Sequence, residues 1–179
     1  MNIFETVVAK ASGISASSPL ASVLSMRNDI FELTEKAYQA SLRPNEPGGV
    51  SHAERAGLAC RIARRNNEAI LAQHYETLFE IGSKPLADTD FDGGDDIRNK
   101  AIIRHTDLVT LSPKDAKEDD ISALISAGLD DADIVRLSEL IAFVAYQIRV
   151  VIGLRLMAEV AGRTQSQNSL HPSHSGSRA

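Results

Sequence analysis

Residues Ser51–Gly82 read SHAERAGLACRIARRNNEAILAQHYETLFEIG, and this stretch decides the fold. Ser51 followed by Glu54 is a capping box: the serine hydroxyl takes an orphan N–H of the first turn, and the glutamate reaches back to the serine N–H. Leu58, Ile62, Ile70, Leu71, Leu78 and Phe79 recur at near-helical spacing. Gly82 stands where a left-handed C-cap is expected. Asn66-Asn67 in the middle predicts a break or kink, because asparagine favours turns and caps over helix interiors.

The rest of the chain repeats this helical grammar. Ser18-Pro19 pairs an N-cap residue with proline at the first helical position. It predicts a helix to about Leu42, with Leu20, Val23, Leu24, Ile30, Phe31 and Tyr38 as a core stripe. RPNEPGGV, 43–50, is a loop by its prolines and glycines, and SKPLADTDFDGGDD, 83–96, is another. Asp95-Asp96 opens a helix to about Leu108, with negative charge at its positive end. Ser112-Pro113 starts a weak acidic turn, and 119–127 is a short helix ended by Gly128. The longest element is predicted over 130–162. There Ile134, Leu137, Ile141, Val144, Ile148 and Val151 form one stripe, and Leu140, Phe143, Val150, Leu154 and Met157 another. A helix apolar on two sides must be covered on two sides, so a subunit contact is expected. No segment alternates as a strand would. The expected fold is an all-α bundle of about six helices over residues 19–162. A short apolar N-terminal arm occupies 1–18, with a small-residue linker from Ala11, and a Ser/Gln/Asn/Gly/His-rich tail, 163–179, reads as disordered.

Two runs carry a resemblance to a known family. Glu54-Arg55 at the helix start, with His74 and Gly82 eight residues after it, is similar to the core of the carboxymuconolactone decarboxylase superfamily, which includes alkylhydroperoxidase D. The second run, within Asp133–Met157, contains AFVAYQIRVVIGL and resembles the long C-terminal helix of peroxidase-related members. The likeness spans about Pro19 to Gly162. It implies an AhpD-like bundle, trimeric or hexameric assembly, and antioxidant-linked peroxidase chemistry on a Cys-x-x-Cys-x-x-x-His helix. Here the two cysteine positions fall on Asn67 and Ile70, so both redox thiols are absent. The family's proton-relay glutamate falls near Ala56, with Glu54 close but offset.

The candidate site residues are therefore His74, Glu54 and Cys60. If Asn67, Ile70 and His74 lie on one helix, their spacing puts them on one face. Histidine moves protons near neutral pH; peroxide reduction needs a low-pKa thiolate and a resolving thiol. Cys60 is the single cysteine. With Arg61, Arg64 and Arg65 nearby it is either a one-thiol peroxidatic residue or an inert buried one. Arg149, inside an apolar run, predicts a partner on another helix such as Glu54 or Glu76. Asp88, Asp90, Asp92 and Gly93 copy the start of a calcium loop, but the position of its bidentate glutamate is Asn99. His171 and His174 lie in the tail.

Composition narrows the alternatives. At 179 residues, 43% hydrophobic and 4% aromatic without tryptophan, one domain with a real core is expected. A net charge of −5 argues against nonspecific nucleic-acid binding. Gln147, Arg149 and Arg155 argue against a membrane span near residue 150, and the N-terminus lacks a signal-peptide pattern. One cysteine forms no internal disulfide, which fits a reducing cytoplasm. No metal, dinucleotide, Walker or nucleophile-elbow motif is present, so no cofactor is expected. Three functions follow. The first is a redox-degenerate alkylhydroperoxidase-type protein that partners a thiol-bearing paralogue or uses different chemistry around His74. The second is a non-catalytic binding or scaffold module with a hydrophobic inter-helix pocket. The third is a thiol-independent lyase or isomerase with His74 as base and an arginine clamping an anionic substrate.

Overall fold

Helix starts and stops follow the capping chemistry most closely in the middle of the chain. A computed structural model describes residues 1–170, with side chains described to Arg163; the remaining tail, including His171 and His174, lies outside the described residues. Among the described residues every regular element is helical: nine α-helices and two single 3₁₀ turns. This is the expected all-α class with more, shorter helices than the six expected. The described residues form two compact units, 1–32 with 150–170, and Leu33–Arg149.

In the first unit, a 3₁₀ turn leads into α1, Val7–Ser12, where an arm and linker were expected. Thr6 caps α1 by accepting from the Ala9 N–H, and Gly13 closes it at φ 73°. Six residues are too few to show a helical period, so only the caps betray this helix. Ile3, Val8, Ala9, Ala11 and Ile14 are buried there, and the Arg155 guanidinium donates to the Ala11 carbonyl at 2.7 Å. Ser18-Pro19 does not start a helix. The Ser18 hydroxyl accepts from the Ser15 N–H at 2.9 Å, closing a turn, and α2 is only Ala21–Ser25. α3, Asn28–Leu42, follows after Arg27, and from Leu33 onward it belongs to the second unit. Of the expected stripe, Leu24, Phe31 and Tyr38 are buried while Val23 and Ile30 are exposed.

The second unit is built round α4, His52–Arg65. Its Ser51–Glu54 capping box forms as expected, with the Ser51 N–H donating to Glu54 Oε2 at 2.7 Å. Every residue from Arg55 to Ala63 is buried. α4 packs on α5, Ala69–Glu76, on α6, Ser83–Ala87, and on α7, Ile97–Leu111. Gly57 permits the α6 contact: a Cβ there would stand 2.4 Å from the Ser83 carbonyl oxygen. The break at Asn66-Asn67 is present, with Asn66 as C-cap and Asn67 left-handed at φ 57°. α5 stops at Glu76, well before Gly82, because Thr77 Oγ1 donates to the His74 carbonyl at 2.6 Å and competes with the helix ladder. Gly82, at φ 95°, instead precedes α6. Asp96 caps α7 through the Arg98 and Asn99 N–H groups. α8, Glu118–Ser126, follows, and α9, Asp131–Leu170, is the last described helix, its residues from Val150 belonging to the first unit.

α9 continues past Gly162, where the sequence reading ended it. A glycine inside a helix costs only about 1 kcal/mol, and an Arg163–Glu159 pair at 3.6 Å spans the next turn. The stripe Ile134, Leu137, Ile141, Val144, Ile148 and Val151 is buried throughout. By length and mean hydropathy (1.8) the helix could cross a bilayer, but much of its apolar surface is already buried against protein. Ile152, Leu156, Met157 and Val160 remain exposed.

Candidate functional site

α5 carries His74 half-buried, and α3 brings Tyr38 to it. The Tyr38 hydroxyl and His74 Nε2 share a hydrogen bond of 2.8 Å, and their rings lie 5.6 Å apart. Burial, reinforced by Glu35, pushes the Tyr38 phenol up to about 12, with Arg43 opposing. The phenol therefore stays protonated at neutral pH and is held as a neutral hydrogen-bonding group. Phe143 of α9 meets the Tyr38 ring edge-on at 6.2 Å. Beneath them the Tyr75 hydroxyl donates to Gln147 Oε1, both side chains being fully buried, while Gln147 Nε2 has no hydrogen-bond partner.

The structure does not bring the other candidates to His74. Asn67 sits in the left-handed turn before α5, whose N-cap is Glu68, so it is off the helix that carries Ile70 and His74. Ile70 is 49% exposed. The expected common face is thus reduced to an i, i+4 pair. Cys60 lies wholly buried on α4, its thiol 3.6 Å from the Ala72 carbonyl oxygen. Burial pushes that thiol up to about 11, against a smaller downward pull from Arg64. A thiol so held is neither a ready nucleophile nor reachable by peroxide. Glu54 is held by the cap and by an ion pair with Arg98.

Arg61 and Arg65 are structural. Arg61, 1% exposed, grips Asp107 with two bonds of 2.7 Å and also donates to the carbonyls of Asp88, Thr89 and Phe91. Arg65 adds bonds to Asp107 and Thr89. Burial alone would raise the Asp107 pKa; the hydrogen bonds from Arg61 and Arg65 outweigh it and hold the carboxyl below its usual range. Together they pin the Asp88–Asp92 loop. Asp88 and Asp92 spend an oxygen each on the N–H groups of Asp90 and Gly94, and among the described residues no cluster of metal-ligating side chains occurs. Arg149 does not find Glu54 or Glu76. It lies exposed and donates to the Ala145 carbonyl at 2.8 Å, because its long stem lets the charged head reach water.

Two open grooves flank α6. One, of about 590 Å³, is lined by Arg64, Glu76, Phe79, Lys84, Pro85 and Asp88. The other, of about 370 Å³, includes Ser51, Glu54, Ile81, Leu86, Phe91 and Asn99. His74 lines neither. Tyr38 was not legible as a site residue, since it reads as one more core position and nothing in the spacing ties it to a histidine on another helix. Of the groove residues, Glu54, Arg64, Glu76 and Asp88 stand out in the sequence, but not as the lining of a groove.

No protein-family model matches this chain, and no curated protein does. Among solved structures it is similar to an uncharacterized peroxidase-related protein from Silicibacter sp. TM1040. The TM-score is 0.55, the identity 16%, and the match covers 69% of this chain and 67% of that one. The likeness is one of fold: the chain has an all-α architecture shared with a peroxidase-related protein.

Proposed function

We propose that this chain is a redox-silent relative of the carboxymuconolactone decarboxylase superfamily, of the alkylhydroperoxidase-D-like, peroxidase-related type. In this reading it acts as a non-catalytic, antioxidant-linked partner of a thiol-bearing paralogue in the cytoplasm. The observation that carries it is the state of the sulfur. Asn67 and Ile70 stand at the two thiol positions counted from His74, and Cys60 is sealed in the core with its pKa pushed up to about 11. Peroxide consumption with a dithiol reductant tests it, using wild type and Cys60→Ser. No turnover is expected from either protein. Turnover that Cys60→Ser abolishes would sink the proposal.

Self-association belongs to the same reading. Ile152, Leu156, Met157 and Val160 form an exposed apolar run on α9, and covering it with a second copy would remove it from water. Light scattering on wild type and Leu156→Glu is the measurement. An oligomer that the glutamate dissociates is expected; a wild-type monomer rejects the assembly.

A second reading rests on the His74–Tyr38 pair. A half-buried imidazole bonded to a neutral phenol is equipped for proton transfer in a thiol-independent lyase or isomerase. Isomerisation or decarboxylation of lactone carboxylic acids, lost in both His74→Gln and Tyr38→Phe, would favour it over the non-catalytic reading.

A further inference from the structure

We propose that the groove between α4, α5 and α6 binds a small zwitterion with an apolar side chain, of the α-amino-acid type. The inference is independent of the proposed function. His74 and Glu76 are two residues apart on α5, about 200° round the helix, so the groove and the His74–Tyr38 pair occupy different faces.

The groove's volume, about 590 Å³, lies in the range of small-molecule sites. Its charges are unequal in how they are used. Arg64 is fixed at one wall: Nη1 donates to the Ala87 carbonyl at 2.7 Å and Nη2 to Glu76 Oε1 at 2.5 Å. A guanidinium has five N–H donors in a planar fork, so three are left by these bonds, and the side chain is 38% exposed. Glu76 is neutralised by Arg64. Lys84 projects from α6, exposed, and among the described residues no carboxylate pairs with it. Asp88, the C-cap of α6, has one oxygen occupied by the Asp90 N–H at 3.0 Å and offers the other.

The charges left unbalanced are therefore the Lys84 ammonium and an Asp88 oxygen, beside the three remaining N–H donors of Arg64. Phe79 and Pro85 supply an apolar wall beside them. A carboxylate suits Arg64 and Lys84, because charge-assisted bonds to a planar fork are the stronger kind. An ammonium on the same ligand suits Asp88, and an apolar side chain suits Phe79 and Pro85. A simple acid leaves the Asp88 carboxylate unanswered, and a simple amine leaves Lys84 unanswered.

The test is calorimetric titration of the full chain with phenylalanine, 3-phenylpropionate and phenethylamine. Phenylalanine is expected to bind at least roughly tenfold more tightly than either half-ligand. Lys84→Met and Phe79→Ala are each expected to weaken it about tenfold. Lys84 is exposed, so Lys84→Met keeps the wild-type melting temperature and stays informative should Phe79→Ala fail to fold. No saturable binding of phenylalanine overturns the proposal. So does a half-ligand binding as tightly as phenylalanine, or binding that neither variant changes.

Discussion

Cys60 and Arg61 are neighbours on α4, and both are buried at the cost of their usual chemistry. For Cys60 the apolar surroundings favour the neutral thiol. Native protein is expected to resist iodoacetamide at pH 8 and to label stoichiometrically once unfolded in urea; rapid native labelling would show an open site. Cys60→Ala should cost about 1 kcal/mol, the size of a methyl-sized void. Arg61 is the opposite case. Its charge is tolerable only because Asp107 and three carbonyls answer it. Arg61→Ala leaves Asp107 with Arg65 alone and frees the Asp88 and Phe91 carbonyls, the Thr89 carbonyl keeping its bond from Arg65. Removing one partner of a buried pair typically costs about 3–5 kcal/mol, so the urea midpoint should fall far more than in Cys60→Ala.

At the scale of the element, α4 is held by its ends and by one missing side chain. Ser51→Ala removes the cap bond to the Glu54 N–H, seen at 3.2 Å, and should cost about 1 kcal/mol in chemical denaturation. Gly57→Ala is the sharper test. A methyl group on α4 meets α6 backbone, which cannot rotate away, so the helices must separate. It should cost more than Ser51→Ala, although alanine is by propensity the better helix former; a stabilising result would show that α6 is loosely held. The ends of α1, α2 and α5 were the hardest to read. Hydroxyl groups at Ser18 and Thr77 turn to nearby backbone, and this local competition overrides the period of the apolar residues.

For the whole molecule, pH is the natural probe, because α7 carries two groups displaced from their ordinary values. His105 is buried beside Asp120 and Arg104, and its Nδ1 has no hydrogen-bond partner. Burial lowers its pKa, Asp120 opposes, and Arg104 lowers it further. The unfolded chain then binds the proton more readily than the folded one. Stability is full above the ordinary value of 6.5 and is lost as pH falls below it, until the lowered folded pKa is passed. Wild type should lose urea stability between about pH 7 and pH 5, and His105→Gln should lose less over that window. Asp107, depressed by its arginines, contributes stability above the usual carboxylate range that persists at pH 5 and vanishes only as pH falls through its folded value. A flat wild-type profile between pH 7 and pH 5 would mean that His105 is hydrated in solution.

The sequence by itself determined the helical class, the capped start of α4, the break at Asn66-Asn67, the Asp96 cap and the buried stripe of α9. Each is a local pattern: a cap is written within four residues and a stripe within a few turns. The same locality made the absence of a Cys-x-x-Cys pair ahead of His74 legible, since residue identity needs no coordinates. Only the tertiary structure decided that Tyr38 meets His74, that Asn67 stands off the α5 helix, that Cys60 is sealed, and that Arg64, Lys84 and Asp88 share a groove. Those facts depend on how separate helices approach one another, and side-chain volumes and one glycine on α4 set that approach.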